Sequence, residues 1–369
     1  MKERFARWGK RLLAGLALWT LLGAGCARFG MRPLRDEALR PFAGTRGLGP
    51  TPELALARRF APVLFHAFHQ RLGRQDVPTA FDFDGNLRGE DNWESFPHFA
   101  LEPTVYYTLV ESETHWFLTY HLFHPRDWSK VDLGLHLTHE NDGENLQVVV
   151  EKARERPVLL YTQAHYRSEV HADPSVLPSG TRNADGLLVC VDSRGIATET
   201  ARHAAAFVEW GGHGIFGMPH GGATAGRESA APAFSGAGWI LYPASETDVV
   251  REPELASGTV PYRLASLHAA VAGTPATGEH VGRDGLFDGV WQWTGPGQSL
   301  GVPRFYQADR FSGPFGPDRG ISPFAVDFDW NEGTLGSLLF APARRWAERF
   351  PVLLEGGWSL EEIRSPWSL

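Results

Sequence analysis

Cysteine is nearly absent from this chain, with Cys26 and Cys190 the only two among 369 residues. Stability must therefore come from a buried core, because covalent staples are not on offer. The apolar run Leu12 to Leu22 is too short to span a bilayer. No Walker Gly-Lys-Ser/Thr or His-Glu-x-x-His occurs, which removes the corresponding nucleotidase and metalloprotease classes. His139-Glu140 begins like the last of these, but its fifth position is Gly143. No internal repeat is present. Basic residues are the minority, 35 Lys and Arg against 43 Asp and Glu. That balance argues against nucleic acid, or an anionic membrane engaged through bulk charge, as a partner.

What is present begins with an address. Lys2, Arg4, Arg7, Lys10 and Arg11 precede the apolar run, the charged and hydrophobic regions of a secretory signal over residues 1–25. Leu22-Gly23-Ala24-Gly25-Cys26 resembles the lipobox of bacterial lipoproteins, with Leu22 one place further from the cysteine than usual. The expectation is an exported protein of the bacterial cell envelope, an outer-membrane lipoprotein held to the membrane by lipid on Cys26. An ordinary cleaved signal is the alternative. Removing residues 1–25 takes away five basic side chains and one acidic one, moving the formal charge from −8 to −12.

Residues 26–50 read as a tether, rich in Arg, Gly and Pro. Residues 51–369 read as one domain. Thr51-Pro52-Glu53 announces a short helix that Pro62 ends. Beyond it the apolar segments are of strand length: 105–110, 115–123, 146–150, 158–163, 187–191, 205–210 and 239–242. Without long amphipathic helices between them, they predict a mainly β fold, an antiparallel β-sandwich with short peripheral helices and long loops. Residues 219–282 are rich in Gly, Ala, Ser and Pro and read as a loop-rich insertion decorating that body. Residues 342–350 and 359–364 have helical character.

The densest polar cluster is His139-Glu140-Asn141-Asp142-Gly143-Glu144, directly before the apolar segment 146–150. Alternation along an extended chain projects Asp142 and Glu144 to one side with Glu140 beside them, and His139 can swing in from the preceding turn. Carboxylates and an imidazole are the ligand types of a hard or borderline divalent cation. Packed that closely without one, they would repel each other. A solvated acidic turn is the competing explanation. A second segment, Asp82, Asp84 and Asn86, spaces oxygen ligands as a calcium loop does, but Leu87 stands where such a loop needs Gly, and a plain turn is the other reading. Cys190 lies in an apolar run and reads as a buried, inert thiol.

His-Glu-x-Asp-x-Glu before a strand resembles the motif of the vacuolar protein sorting 62-like family. Leu56 to Phe65, Tyr161-Thr162-Gln163-Ala164-His165 and Val208-Glu209-Trp210-Gly211-Gly212-His213-Gly214 match that family's segments in order. The centre of the chain also resembles the necrosis- and ethylene-inducing peptide-like proteins, through Tyr120 to Asp127 followed by His139, Asp142 and Glu144. That resemblance implies a secreted β-sandwich holding a divalent cation at His139, Asp142 and Glu144, with Asp127 as fourth ligand and Asp132 its rival. Calcium, magnesium or manganese is implied ahead of zinc. It further implies binding of a polar ligand such as a lipid head group or glycan. His213, set among Gly211, Gly212 and Gly214, and His165, at the end of an apolar strand, are candidate ligand-binding residues, with a turn histidine and a core histidine as the respective alternatives. The Trp of the motif is Gly143 here. Two other functions compete: a metal-dependent hydrolase with Glu140 or His213 as general base, and a structural envelope protein without a metal.

Overall fold

The computed structural model describes residues 50–128, 138–164, 167–218, 237–272, 292–295, 298–300, 304–306, 326–328 and 337–366. The signal, the tether, Cys26, Asp132 and His165 lie outside them, as do residues 219–236 and 273–282 of the predicted insertion.

The chain is mainly β with short helices, as expected. Helix α1 (Pro50–Phe60) presents Ala57 and Phe60 to the core and ends before Pro62. Strand β1 (Val63–Ala67) follows directly and is buried throughout. After the short helix α2 (Asn92–Ser95) come four long strands: β2 (Thr104–Ser112), β3 (His115–Asp127), β4 (His139–Glu151) and β5 (Arg156–Ala164). β6 (Arg167–Ala172), β7 (Gly186–Leu187), β8 (Cys190–Val191), β9 (His203–Val208) and β10 (Ile215–Gly217) are shorter. β11 (Gly238–Pro243) and β12 (Gly258–Ser266) lead to α3 (Leu267–Ala272), and β13 (Gln292–Gly295) pairs with β14 (Gln298–Leu300) apart from the main sheet. The chain closes with α4 (Ser337–Phe340), α5 (Pro342–Arg349), α6 (Val352–Glu355) and β15 (Glu362–Arg364).

Three expectations are corrected. The architecture is not an antiparallel sandwich but one curled, mixed sheet in the order β10-β9-β1-β11-β12-β2-β3-β4-β5-β6-β7. β1 with β9, β11 with β12, β12 with β2, and β6 with β7 all pair parallel. Parallel neighbours need crossover connections; irregular chain joins β6 to β7 and β11 to β12, while β1 reaches β9 and β2 reaches β12 through intervening strands, so a lack of helices did not imply antiparallel pairing. Within 219–282, β11 and β12 are internal strands joining the two halves of the sheet, not decoration. Residues 362–364 form a strand edge, with Glu362 opposite Ser112, where helical character was expected.

Curling brings the two halves face to face over one core. Leu64, Ala204, Ala206, Val208, Ile215 and Leu241 from one half meet Val105, Tyr107, Leu118, Tyr120, Leu122, Leu146 and Val148 from the other. The outer face of β2 to β5 is covered by Phe81, Phe305 and Tyr306 and by the C-terminal helices through Leu338, Trp346 and Phe350. Burying a side chain of that size stabilises by roughly 1.5–3 kcal/mol, so this cover fixes the strands from behind.

Candidate metal centre

The site grows out of strand alternation. On β3, Leu118, Tyr120 and Leu122 point into the inner core, and the next residue of that series is His124. On β4, Val148 and Leu146 do the same, and the series continues to Glu144 and Asp142; on β1, Leu64 is followed by His66. Register sets His124 opposite Asp142 and Leu122 opposite Glu144. One end of the inner face thus changes from apolar to ionisable. All four side chains are buried.

The competing explanation of a solvated acidic turn does not hold, because the segment is a strand. Residues 139–144 belong to β4 and pair with β3 as far as Asp127 opposite His139. Alternation breaks at Asn141, whose φ of 60° lies in the left-handed region that Asn tolerates better than most residues. Asn141 donates to the Gly89 carbonyl (2.9 Å) and accepts from Asn92 (2.6 Å), while Glu140 accepts from the Trp93 backbone N–H (2.8 Å). Both therefore engage residues 89–93, and Glu140 does not stand beside Asp142 and Glu144 as expected. His139 comes to the other side: its Nε2 is 3.2 Å from Asp127 and 3.9 Å from Asp142.

His213 arrives from the opposite half, in the loop between β9 and β10. Its φ is 52° and it follows Gly211 (φ 87°), at which a Cβ would come within 2.9 Å of the Trp128 carbonyl oxygen. His213 Nδ1 donates to Asp142 (2.8 Å) and Nε2 to Asp76 (3.3 Å). Asp76 is wholly buried and also accepts from the His69 and Gly211 N–H groups and the Trp128 indole, each at 2.9 Å. The His213 ring stacks on His124 with centroids 3.6 Å apart. His124 Nε2 in turn lies 3.4 Å from His66 Nε2, and His66 Nδ1 donates to the Ala67 carbonyl at 2.8 Å.

Electrostatics sort these groups. Burial alone would lower the His213 pKa, but the hydrogen bonds and charges of Asp142 and Asp76 outweigh it and lift the ring to about 9. Burial and the neighbouring His213 hold His66 down at about 4, and burial with three nearby imidazoles pushes His124 well below the usual histidine range. Glu144 is held well above the usual carboxylate range by burial, then by Asp142, Glu209 and Asp127. Asp127 is raised too, chiefly by burial and against the pull of His139.

Among the described residues, two groups bring ligand atoms within 4.8 Å of one another: Asp127, His139 and Asp142, and His124, Asp142 and His213. Glu144, expected as a third carboxylate ligand, is not among these atoms, although the charges of Asp142 and Asp127 act on it. The two carboxylates and one imidazole of the first group fit a hard or borderline divalent cation, and the carboxyl crowding is the conflict such a charge relieves. His139 Nδ1 donates to the Glu140 carbonyl (2.9 Å), which leaves Nε2 as the ligand atom, the arrangement of metal-bound histidines.

Several solved structures are similar to part of this chain, all at low TM-score and low identity. One is necrosis- and ethylene-inducing protein 2 from the causal agent of cocoa's witches' broom disease, with TM-score 0.26 and 13% identity; the match covers 45% of this chain and 65%, under two thirds, of that one. NLPPya in complex with glucosamine matches with TM-score 0.29 and 16% identity over 64% of this chain and 86% of that one. NLPPya in complex with mannosamine matches with TM-score 0.24 and 21% identity over 46% and 78%. Similarity at this level leaves function open. No protein-family model and no curated protein matches the chain.

Other sequence candidates fall elsewhere. Asp84 accepts from the Asn86 backbone N–H (3.1 Å) and side-chain amide (3.0 Å), and Asn86 accepts from the Arg88 N–H (2.6 Å), so these oxygens close a turn. Asp82 lends its carbonyl to the same turn, accepting from Gly85. The Cys190 thiol is pushed to about 11 by burial, consistent with an inert group. His66, His124 and Asp76 escaped the sequence reading. A histidine at the next inward position of a strand whose other inward residues are aliphatic or aromatic was the signal available for the first two.

Proposed function

We propose that this chain holds a divalent cation at Asp127, His139, Asp142 and Glu144 and uses it to bind a polar ligand, a glycan or lipid head group. The observation that carries the reading is the convergence of Asp127, His139 and Asp142, from two paired strands, at one end of the inner face. The similarity of His139-Glu140-x-Asp142-x-Glu144 to the vacuolar protein sorting 62-like motif supports it at the level of sequence. A cation with open coordination positions clamps vicinal hydroxyls directly, as oxygen-rich sites favour. His213, protonated at neutral pH by its two carboxylates, is placed as a hydrogen-bond donor. It is not placed as a general base, and Glu140 is committed to Trp93, so hydrolysis is the weaker reading. Export with a lipid anchor on Cys26 belongs to the same proposal and would display the site outside the cytoplasm.

The test is calorimetric titration of the purified full chain with glucosamine and mannosamine, with manganese or calcium present and after chelation. Binding that disappears on chelation and in Asp142→Asn supports the proposal; binding indifferent to both refutes it.

A further inference from the structure

Asp142 faces two ways. One oxygen, Oδ1, lies toward His139 (3.9 Å), and the other, Oδ2, toward His213 (2.8 Å). On the second side stand His213 and His124, with ring nitrogens within 4.8 Å of each other and of the Asp142 carboxylate. A carboxylate whose two oxygens serve two separate donor groups is the bridging ligand of two-metal sites, where ions sit about 3.5–4 Å apart.

The imidazoles on that side are prepared as ligands. His213 gives its Nε2–H to Asp76, a fully buried carboxylate that accepts three further N–H groups, so the ring is anchored through one nitrogen and offers Nδ1 to Asp142. That carboxylate–imidazole pairing is the outer support metal-bound histidines ordinarily have. His124 is wholly buried, and its Nδ1 has no hydrogen-bond partner among the described residues. Its other nitrogen faces His66 Nε2, and His66 is itself tied to the Ala67 carbonyl. A neutral ring with Nδ1 donating carries its lone pair on Nε2. His66 therefore accepts from His124 Nε2–H, and the lone pair of His124 is left on the unpartnered Nδ1. A buried polar atom without a partner calls for an explanation, and a role as metal ligand is one.

We infer that the protein has a second cation position, nitrogen-rich and distinct from the oxygen-rich one, formed by His124, His213 and Asp142, with Asp142 bridging the two. Two imidazoles and a carboxylate select a borderline ion such as zinc or cobalt, whereas the first position suits manganese or calcium. On binding, the ion takes the place of the His213 Nδ1 proton, which leaves to solvent. Coordination by both rings draws their nitrogens to one point and tilts the rings out of their 11° stack. The inference shares Asp142 with the oxygen-rich position but does not require that position to be filled.

The experiment offers manganese and zinc together to the purified full chain, removes excess, and counts both by mass spectrometry. Two equivalents, one of each, are expected. His124→Phe should lose the zinc equivalent and keep manganese; Glu144→Gln should weaken manganese at least tenfold and keep zinc. Zinc without manganese would uphold this inference and sink the oxygen-rich reading. Manganese without zinc, or zinc unaffected by His124→Phe, overturns the inference and leaves that reading intact, and no metal at all overturns both. Should His124→Phe fail to fold, the parent loaded with copper(II) decides by pulsed electron paramagnetic resonance. Two coupled imidazoles support the second position; one contradicts it.

Discussion

Gly143 offers the most direct check on how the site is braced from behind. It stands opposite Phe123 in β4, and a Cβ built there meets Tyr306 Oη at 2.5 Å, His121 Cε1 at 3.0 Å and Tyr306 Cε1 at 3.1 Å. Neither neighbour can yield easily. Tyr306 and His121 are buried and hydrogen-bonded to each other, and His121 Nδ1 is held by Asn145 at 2.7 Å, which donates in turn to Gln163 at 3.0 Å. Gly143→Ala must overpack this face, at a cost of about 1–3 kcal/mol. If Tyr306 moves aside, its hydrogen bond goes too, adding roughly 1 kcal/mol. The total is roughly 2–4 kcal/mol. Tyr306→Phe deletes the nearest clashing atom, so the alanine should cost about 1–2 kcal/mol less in that background than in the parent, within the usual range for contacting pairs. Urea denaturation of the two single variants and the double variant reads this cycle. A Gly143→Ala cost below about 0.5 kcal/mol, or additive effects, would refute the claim that Tyr306 fills the space where the motif elsewhere carries Trp.

Other predictions concern the kink and the C-terminal cover. Asn141→Ala should destabilise by roughly 1–3 kcal/mol, through a left-handed φ without an amide to anchor it, while Asn141→Gly should recover part of that loss. Thermal unfolding of the pair checks it, and equal losses would mean that conformation is not the cause. Glu362 accepts from the Ala343 N–H (2.9 Å) at the start of α5, and burial pushes its carboxyl to about 8. A folded-state pKa raised above the unfolded value gives stability that is full below about pH 4.5 and is lost as pH rises through about 8. Denaturation midpoints should fall across that window in the parent and flatten in Glu362→Gln; an unchanged slope would contradict the assignment.

Much of this was legible in the residues, and the rest fails for physical reasons. The long strands were readable because β-branched and aromatic residues cluster between breakers, and the observed β2, β3 and β5 extend those segments by a few residues. The β4 extension back to His139 was hidden because its acids mimic a solvated turn; only pairing with β3 through Asp127 makes them interior. The backbone reversal at Asn141 was invisible too, since an Asn in an acidic run carries no mark of its φ. Parallel pairing of β1 with β9, which brings His66 and His213 within reach of His124 and Asp142, joins strands separated in the chain by β2 to β8, which local propensity cannot foresee. Asp76, lone in a 3₁₀ turn, gains meaning only from the four groups that converge on it.

The central claim is the oxygen-rich cation position, and its most direct test is metal content by mass spectrometry of the purified full chain beside a His139→Ala/Asp142→Ala/Glu144→Ala variant, after calcium, magnesium and manganese have been offered. The account predicts about one equivalent of one of these ions in the parent and none in a variant that still folds. A parent that stays empty, or a folded variant that binds as the parent does, would contradict it.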